Sequence, residues 1–102
     1  MEIINVNDNK NGKKENEELR YIYDLQFMSS TREGILAREL AEGLNDKKSL
    51  RYYFSLALEY SERYLRGIYR KVKETPEYKI KKSRGALFAY LVRKYEHLDI
   101  DD

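Results

Sequence analysis

Pro76 is the only proline in the 102-residue chain, and on both sides of it apolar residues recur every three or four positions. A residue without an amide hydrogen ends a helix, and that spacing marks a helix with one buried stripe. The pattern predicts an all-α protein: a single small bundle-like domain of four or five helices over residues 15–98, with short connections. A chain of this length builds one modest core.

Residues 1–14 read as a flexible lead. Asn5, Asn7, Asn9, Asn11 and Gly12 favour turns, and Ile3, Ile4 and Val6 are too short a run to fix a strand. The first helix is expected over residues 15–28. It would bury Leu19, Ile22, Tyr23 and Phe27, with Glu15, Glu17 and Glu18 at the positive end of its dipole. Ser30 with Glu33 matches a capping box. It opens a second helix over residues 31–44 that buries Leu36, Ala37, Leu40, Ala41 and Leu44, before Asn45-Asp46 stops it.

Residues 49–74 hold helical spacing through Leu50, Tyr53, Phe54, Ala57, Tyr60, Tyr64, Leu65, Ile68 and Val72. Two readings stand: one helix of about seven turns, or two helices separated at Ser61, where serine offers an N-cap. After Pro76 a link leads to a final helix capped by Ser83 or Lys82 and reaching about Leu98. Its main stripe is Leu87, Leu91, Tyr95 and Leu98, widened by Phe88 and Val92. Residues 99–102 form an acidic tail.

The chain has no cysteine, so disulfides and thiolate metal sites are excluded. No apolar run approaches the roughly 18–20 residues that span a bilayer, and the N-terminus lacks a signal-peptide pattern. A cytoplasmic protein without membrane attachment is expected. There is no P-loop, nucleophile elbow or zinc spacing, and the carboxylates are scattered over polar faces. A non-enzymatic protein with no cofactor or metal follows. His97, beside Asp99, Asp101 and Asp102, reads as a surface histidine near a helix C-terminus rather than a ligand.

Net charge is only +2, but it is segregated. Residues 70–96 carry nine Lys or Arg against three Glu, a local +6, whereas residues 1–69 sum to −1. Lys79, Lys81, Lys82 and Arg84 gather where the last helix begins, an end its dipole makes unfavourable for cations. A phosphate held by the amides of Ser83, Arg84 and Gly85 would account for them; a solvated basic linker is the plainer alternative. Arg63, Arg66, Arg70, Lys71 and Lys73 recur upstream, with Tyr64 and Tyr69 interleaved as stacking platforms. The candidate nucleic-acid-binding set is Lys79, Lys81, Lys82, Arg84, Arg66, Arg70, Lys71, Lys73 and Arg93. Residues 35–46 also have the flavour of a helix-turn-helix entry, which would aim Arg51 and Tyr52 at a groove. The following helix is too apolar to favour that reading.

The run over residues 80–95 resembles a helical segment of replication initiators and replisome organisers of bacterial plasmids and phages. Ile80 stands at its leading apolar position, Gly85 at its small one, and Leu87 and Leu91 at its apolar ones, with Ser83-Arg84 in place of Asn-Pro. The resemblance implies a DNA-associated role, as a replication accessory or mobile-element protein. The competing reading is a protein-interaction or structural module with no nucleic-acid role. In it the acidic second helix, with Glu33, Glu39 and Glu42, docks a basic patch of another copy to give a homo-oligomer.

Overall fold

Ser61 splits the long apolar region in two. Its backbone is extended (φ −69°, ψ 150°) and its hydroxyl oxygen accepts the Tyr64 amide at 3.1 Å, satisfying an orphan donor of a helix start. The computed structural model describes residues 9–28 and 30–96, with side chains from Glu18 onward. Among these residues all regular structure is helical: α1 Asn9–Met28, α2 Arg32–Gly43, α3 Leu50–Glu59, α4 Glu62–Glu74 and α5 Arg84–Lys94. Short 3-10 turns at Lys47–Ser49 and Glu77–Lys79 precede α3 and follow α4. Helix α1 starts at Asn9, so part of the expected lead is helical, and Glu15, Glu17 and Glu18 fall beyond its first turn. Residues 1–8 and 97–102, which hold Ile3, Ile4, Val6, His97, Leu98 and the tail aspartates, lie outside the described residues.

The caps show how the chain punctuates itself. Helix α2 is capped by Thr31 rather than Ser30: its hydroxyl accepts the Gly34 amide at 2.9 Å and donates to the Met28 carbonyl at 3.1 Å. Gly34 is obligatory, because a Cβ there would lie 1.8 Å from the Met28 carbonyl oxygen. At the other end Asn45 takes the left-handed conformation (φ 57°) that asparagine tolerates. The Asn45 and Asp46 amides then donate to the Glu42 and Ala41 carbonyls at 3.1 and 2.8 Å. Helix α4 stops at Glu74, ahead of Pro76.

Leu40, Leu50, Tyr53, Leu56, Leu65, Val72, Phe88 and Val92 are sealed from solvent. Helix α2 packs chiefly on α3 and α4 on α5, while α1 lies against α2 and α3. The α2 stripe is buried as the spacing requires. In α5 the buried line is Gly85, Phe88 and Val92, with Leu87, Leu91 and Tyr95 only partly covered. The packed face is therefore centred one residue later than the expected stripe, because α5 turns Phe88 edge-on against Tyr53 (ring centroids 5.8 Å apart).

Helix α1 packs with the opposite face from the one its hydrophobicity indicates. Leu19, Ile22, Tyr23 and Phe27 are 52, 49, 69 and 84 % exposed, whereas Tyr21, Asp24, Leu25 and Met28 turn inward. Polar clamps select that face. The Arg51 guanidinium donates to both Asp24 carboxylate oxygens at 3.0 and 3.1 Å, a fork geometry among the stronger ion pairs. The Tyr21 hydroxyl donates to Glu42 at 2.7 Å, with Lys47 over the Tyr21 ring.

A second polar node joins four elements. The buried Tyr53 hydroxyl donates to Asp46 Oδ2 at 2.8 Å, and Ser49 Oγ donates to Asp46 Oδ1 at 3.1 Å. The N-terminus of α5 rests on this pair at Gly85, where a Cβ would stand 2.7 Å from Asp46 Oδ2 and 2.8 Å from the Tyr53 hydroxyl. Alanine would gain up to about 1 kcal/mol of helix propensity but would part a buried hydrogen bond whose loss costs about 1–3 kcal/mol. Gly85→Ala is therefore expected to destabilise the fold by about 1–2 kcal/mol in urea denaturation; a stability gain would show that α5 does not seat on this pair.

The Tyr21 hydrogen bond, ahead of the Arg38 contact, holds the Glu42 carboxyl below its ordinary value of 4.5. A depressed carboxylate stabilises the fold above the unfolded value, and the contribution is lost as pH falls through the folded one. In an NMR titration the Glu42 midpoint should lie below 4.5 and rise in Tyr21→Phe. An unchanged midpoint would mean that the bond does not form in solution.

Candidate nucleic-acid interface

The nine basic residues singled out in the sequence divide into two groups. Arg66, Arg84, Arg93 and Lys73 are engaged within the protein. Arg70, Lys71, Lys79, Lys81 and Lys82 are exposed, and no described carboxylate lies within ion-pair distance of them.

Each engaged residue ties two elements together. Arg66 bonds Glu62 on its own helix at 2.7 Å and Glu39 of α2 at 2.6 Å, and the Glu62 and then the Glu39 bond raise its pKa. Arg84 Nη1 donates to the Val72 and Thr75 carbonyls at 2.6 and 2.9 Å, and Nη2 meets Glu77 at 3.1 Å. It thus caps the C-terminal end of α4, where unsatisfied carbonyls favour a cation. Arg93 reaches Glu59 of α3 at 3.3 Å and the Tyr60 hydroxyl at 2.6 Å. Tyr60 itself donates to Glu96 at 2.5 Å; burial and then this bond push its phenol up to about 12. Lys73 donates to the Gly43 carbonyl at 2.9 Å, at the end of α2, and sits over the Tyr69 ring. Arg66, Arg84 and Arg93 thus each fasten one element of the protein to another.

The amides expected to cradle a phosphate, those of Ser83, Arg84 and Gly85, stand at the start of α5. Ser83 Oγ accepts the Ala86 amide at 3.0 Å, Gly85 is buried, and an anion arriving there would meet the Asp46 carboxylate that lies beside Gly85. The interleaved tyrosines are also committed. Tyr64 is buried with its hydroxyl on the Val92 carbonyl at 2.7 Å, and the Tyr69 hydroxyl is placed where a Cβ on Gly43 would be 2.0 Å away. Arg51, the groove-facing residue of the helix-turn-helix reading, is held by Asp24.

The free cations follow the chain from the end of α4 through the turn to the start of α5. Lys71 and Lys79 line one open depression of about 370 Å³, together with Glu74, Thr75, Pro76, Leu91 and Tyr95. Lys94, Tyr95, Tyr90 and Tyr78 were absent from the sequence-derived set. Lys94 lies 5.5 Å from the Tyr95 ring and 5.6 Å from that of Tyr90; their four-residue separation on one helix, Tyr90 to Lys94, was the available signal. Tyr78, between the two cation runs, is 84 % exposed. The depression therefore sets two ammonium groups, a carboxylate and the Tyr95 ring together, and an ammonium beside an aromatic ring is a pairing suited to phosphates and stacked bases.

Among the described residues no group of three or more His, Asp or Glu side chains could hold a metal ion, and no helix is long and apolar enough to cross a membrane.

The two groups should separate in stability measurements. Arg84→Gln, which strips the α4 carbonyls of a charged donor, is expected to cost about 1–3 kcal/mol. Lys81→Ala and Lys82→Ala should stay within about 0.5 kcal/mol of the parent. Equal losses across the three variants would contradict the division. No family model, curated protein or solved structure matches this chain.

Proposed function

We propose that the protein is a non-enzymatic nucleic-acid-associated module that meets phosphate through Arg70, Lys71, Lys79, Lys81 and Lys82. Tyr78 and Tyr95 offer ring faces beside them. The observation that carries this reading is the sorting of charge in the last third of the chain. Arg66, Arg84 and Arg93 are paired with glutamates, while these five cations face solvent with no described carboxylate within ion-pair distance. Unpaired surface cations of one sign raise the local concentration of a polyanion and steer its approach. The likeness of residues 80–95 to segments of replication initiators and replisome organisers supports a replication accessory role on mobile DNA. A second reading, a protein-interaction module, draws on the exposed apolar face of α1.

Fluorescence anisotropy with labelled duplex and single-stranded DNA over a potassium chloride series tests the first reading. Five neutralised phosphates on a duplex would give a slope of log K against log salt of about −4 to −5. Replacing Lys71, Lys79, Lys81 and Lys82 with alanine should flatten that slope by about 3–4, while Arg66→Gln should leave it unchanged. Absence of binding to either DNA at low salt overturns the proposal.

A further inference from the structure

Helix α1 carries two apolar stripes on opposite sides. With about 3.6 residues per turn, Tyr21, Leu25 and Met28 fall on the side that meets α2 and α3, and Leu19, Ile22, Tyr23 and Phe27 on the other. The second stripe touches no core. Its exposed fractions of 52, 49, 69 and 84 % leave roughly 500 Å² of largely apolar surface on four adjacent side chains, within the range of the largest patches a monomer shows and often uses for binding.

We propose that this outer face of α1 pairs with the same face of a second copy of the chain, the two helices running antiparallel. Two arguments on the stripe favour a copy over another occupant. The first is area. Two such faces, if wholly covered, remove about 1,000 Å² before any polar rim is counted, at the lower limit for a biological pair. The second is shape. Leu19 and Phe27 each stand four residues from Tyr23, so a twofold axis at Tyr23 sets Leu19 of one copy against Phe27 of the other. Small then faces large at both ends, the arrangement that fills an interface evenly, and an isologous contact closes at two subunits. Antiparallel helices also oppose their dipoles. The clamps at Asp24–Arg51 and Tyr21–Glu42 belong to the inner face and are untouched by the pairing.

Sedimentation equilibrium on the full chain reads the outcome without any variant: a monomer–dimer equilibrium within concentrations up to about 500 μM is expected. Tyr23→Glu, a change on a solvent-facing position of the monomer, should weaken association by at least about tenfold with the far-ultraviolet circular dichroism unchanged. The absence of native cysteine permits a test of direction. A mixture of Leu19→Cys and Phe27→Cys chains should oxidise mainly to the mixed disulfide. A strict monomer at every concentration overturns the proposal, as does association indifferent to Tyr23→Glu. Preferential joining of like with like overturns the antiparallel arrangement.

Discussion

The hydrogen bond from Tyr53 to Asp46 is the point on which the arrangement of four elements depends. Asn45, in its left-handed conformation, ends α2 and turns the chain so that Asp46 can receive both Tyr53 and Ser49. Tyr53 is almost wholly buried, and its ring meets Phe88 of α5. A phenol in that position left without an acceptor would cost about 1–3 kcal/mol. Burial, reinforced by Asp46, raises its pKa far above the ordinary value, so the hydroxyl stays a donor wherever the protein is folded. Gly85 has no side chain because α5 lies directly on this bond. The node therefore accounts for the residue at the α5 start that otherwise looks like a place for a ligand.

Arginine supplies the ion pairs of this molecule, although Arg20, Arg32, Arg63 and Arg70 make none with a described carboxylate. Every ion pair among the described residues is made by an arginine: Arg38, Arg51, Arg66, Arg84 and Arg93. A planar guanidinium holds two or three acceptors at fixed angles, so it can join a carboxylate on one helix to a carbonyl or carboxylate on another. Arg84 does this between α5 and the end of α4. An ammonium on a flexible stem is better hydrated and loses more order when fixed, so Lys71, Lys79, Lys81 and Lys82 remain outside. The exposed pairs add little stability individually; their effect is to fix which faces meet. Counting Lys and Arg together conceals this division, which is why a charge tally over residues 70–96 overstated the surface available to an anion.

The sequence made the all-helical class, the stop at Pro76 and the α2 stripe legible and offered the Ser61 break as one of two readings, because each rests on local chemistry: a cap, a missing amide, a repeat of period 3.6. It misled where a choice depended on distant partners. Hydrophobic spacing in α1 favours Leu19, Ile22, Tyr23 and Phe27, yet Asp24 and Tyr21 have acceptors or donors waiting 27 and 21 residues away in Arg51 and Glu42. Those partners turn the helix by about half a revolution. Ser30 was the expected cap of α2, but Thr31, whose hydroxyl donates to the Met28 carbonyl, takes that place. In the candidate site Lys79, Lys81 and Lys82 have no described carboxylate within ion-pair distance, whereas the contacts of Arg66 and Arg93 hang on glutamates of other elements.

The division between the two cations also bears on how the proposed interface would recognise its target. Specific contacts to base edges come mainly from arginine forks and amides placed in a groove. The free set here holds one arginine, Arg70, and otherwise lysines, which act as point charges on phosphate. Phosphate contacts position a protein on nucleic acid without reading sequence. Under that proposal the exposed Tyr78 would add a face on which any base could stack. A surface of this make-up favours association that depends on salt and strand form more than on base sequence. Two such surfaces held by paired α1 helices would be linked, so that binding at one raises the effective concentration of nucleic acid at the other. Discrimination would then come from the spacing of the two copies rather than from a single contact.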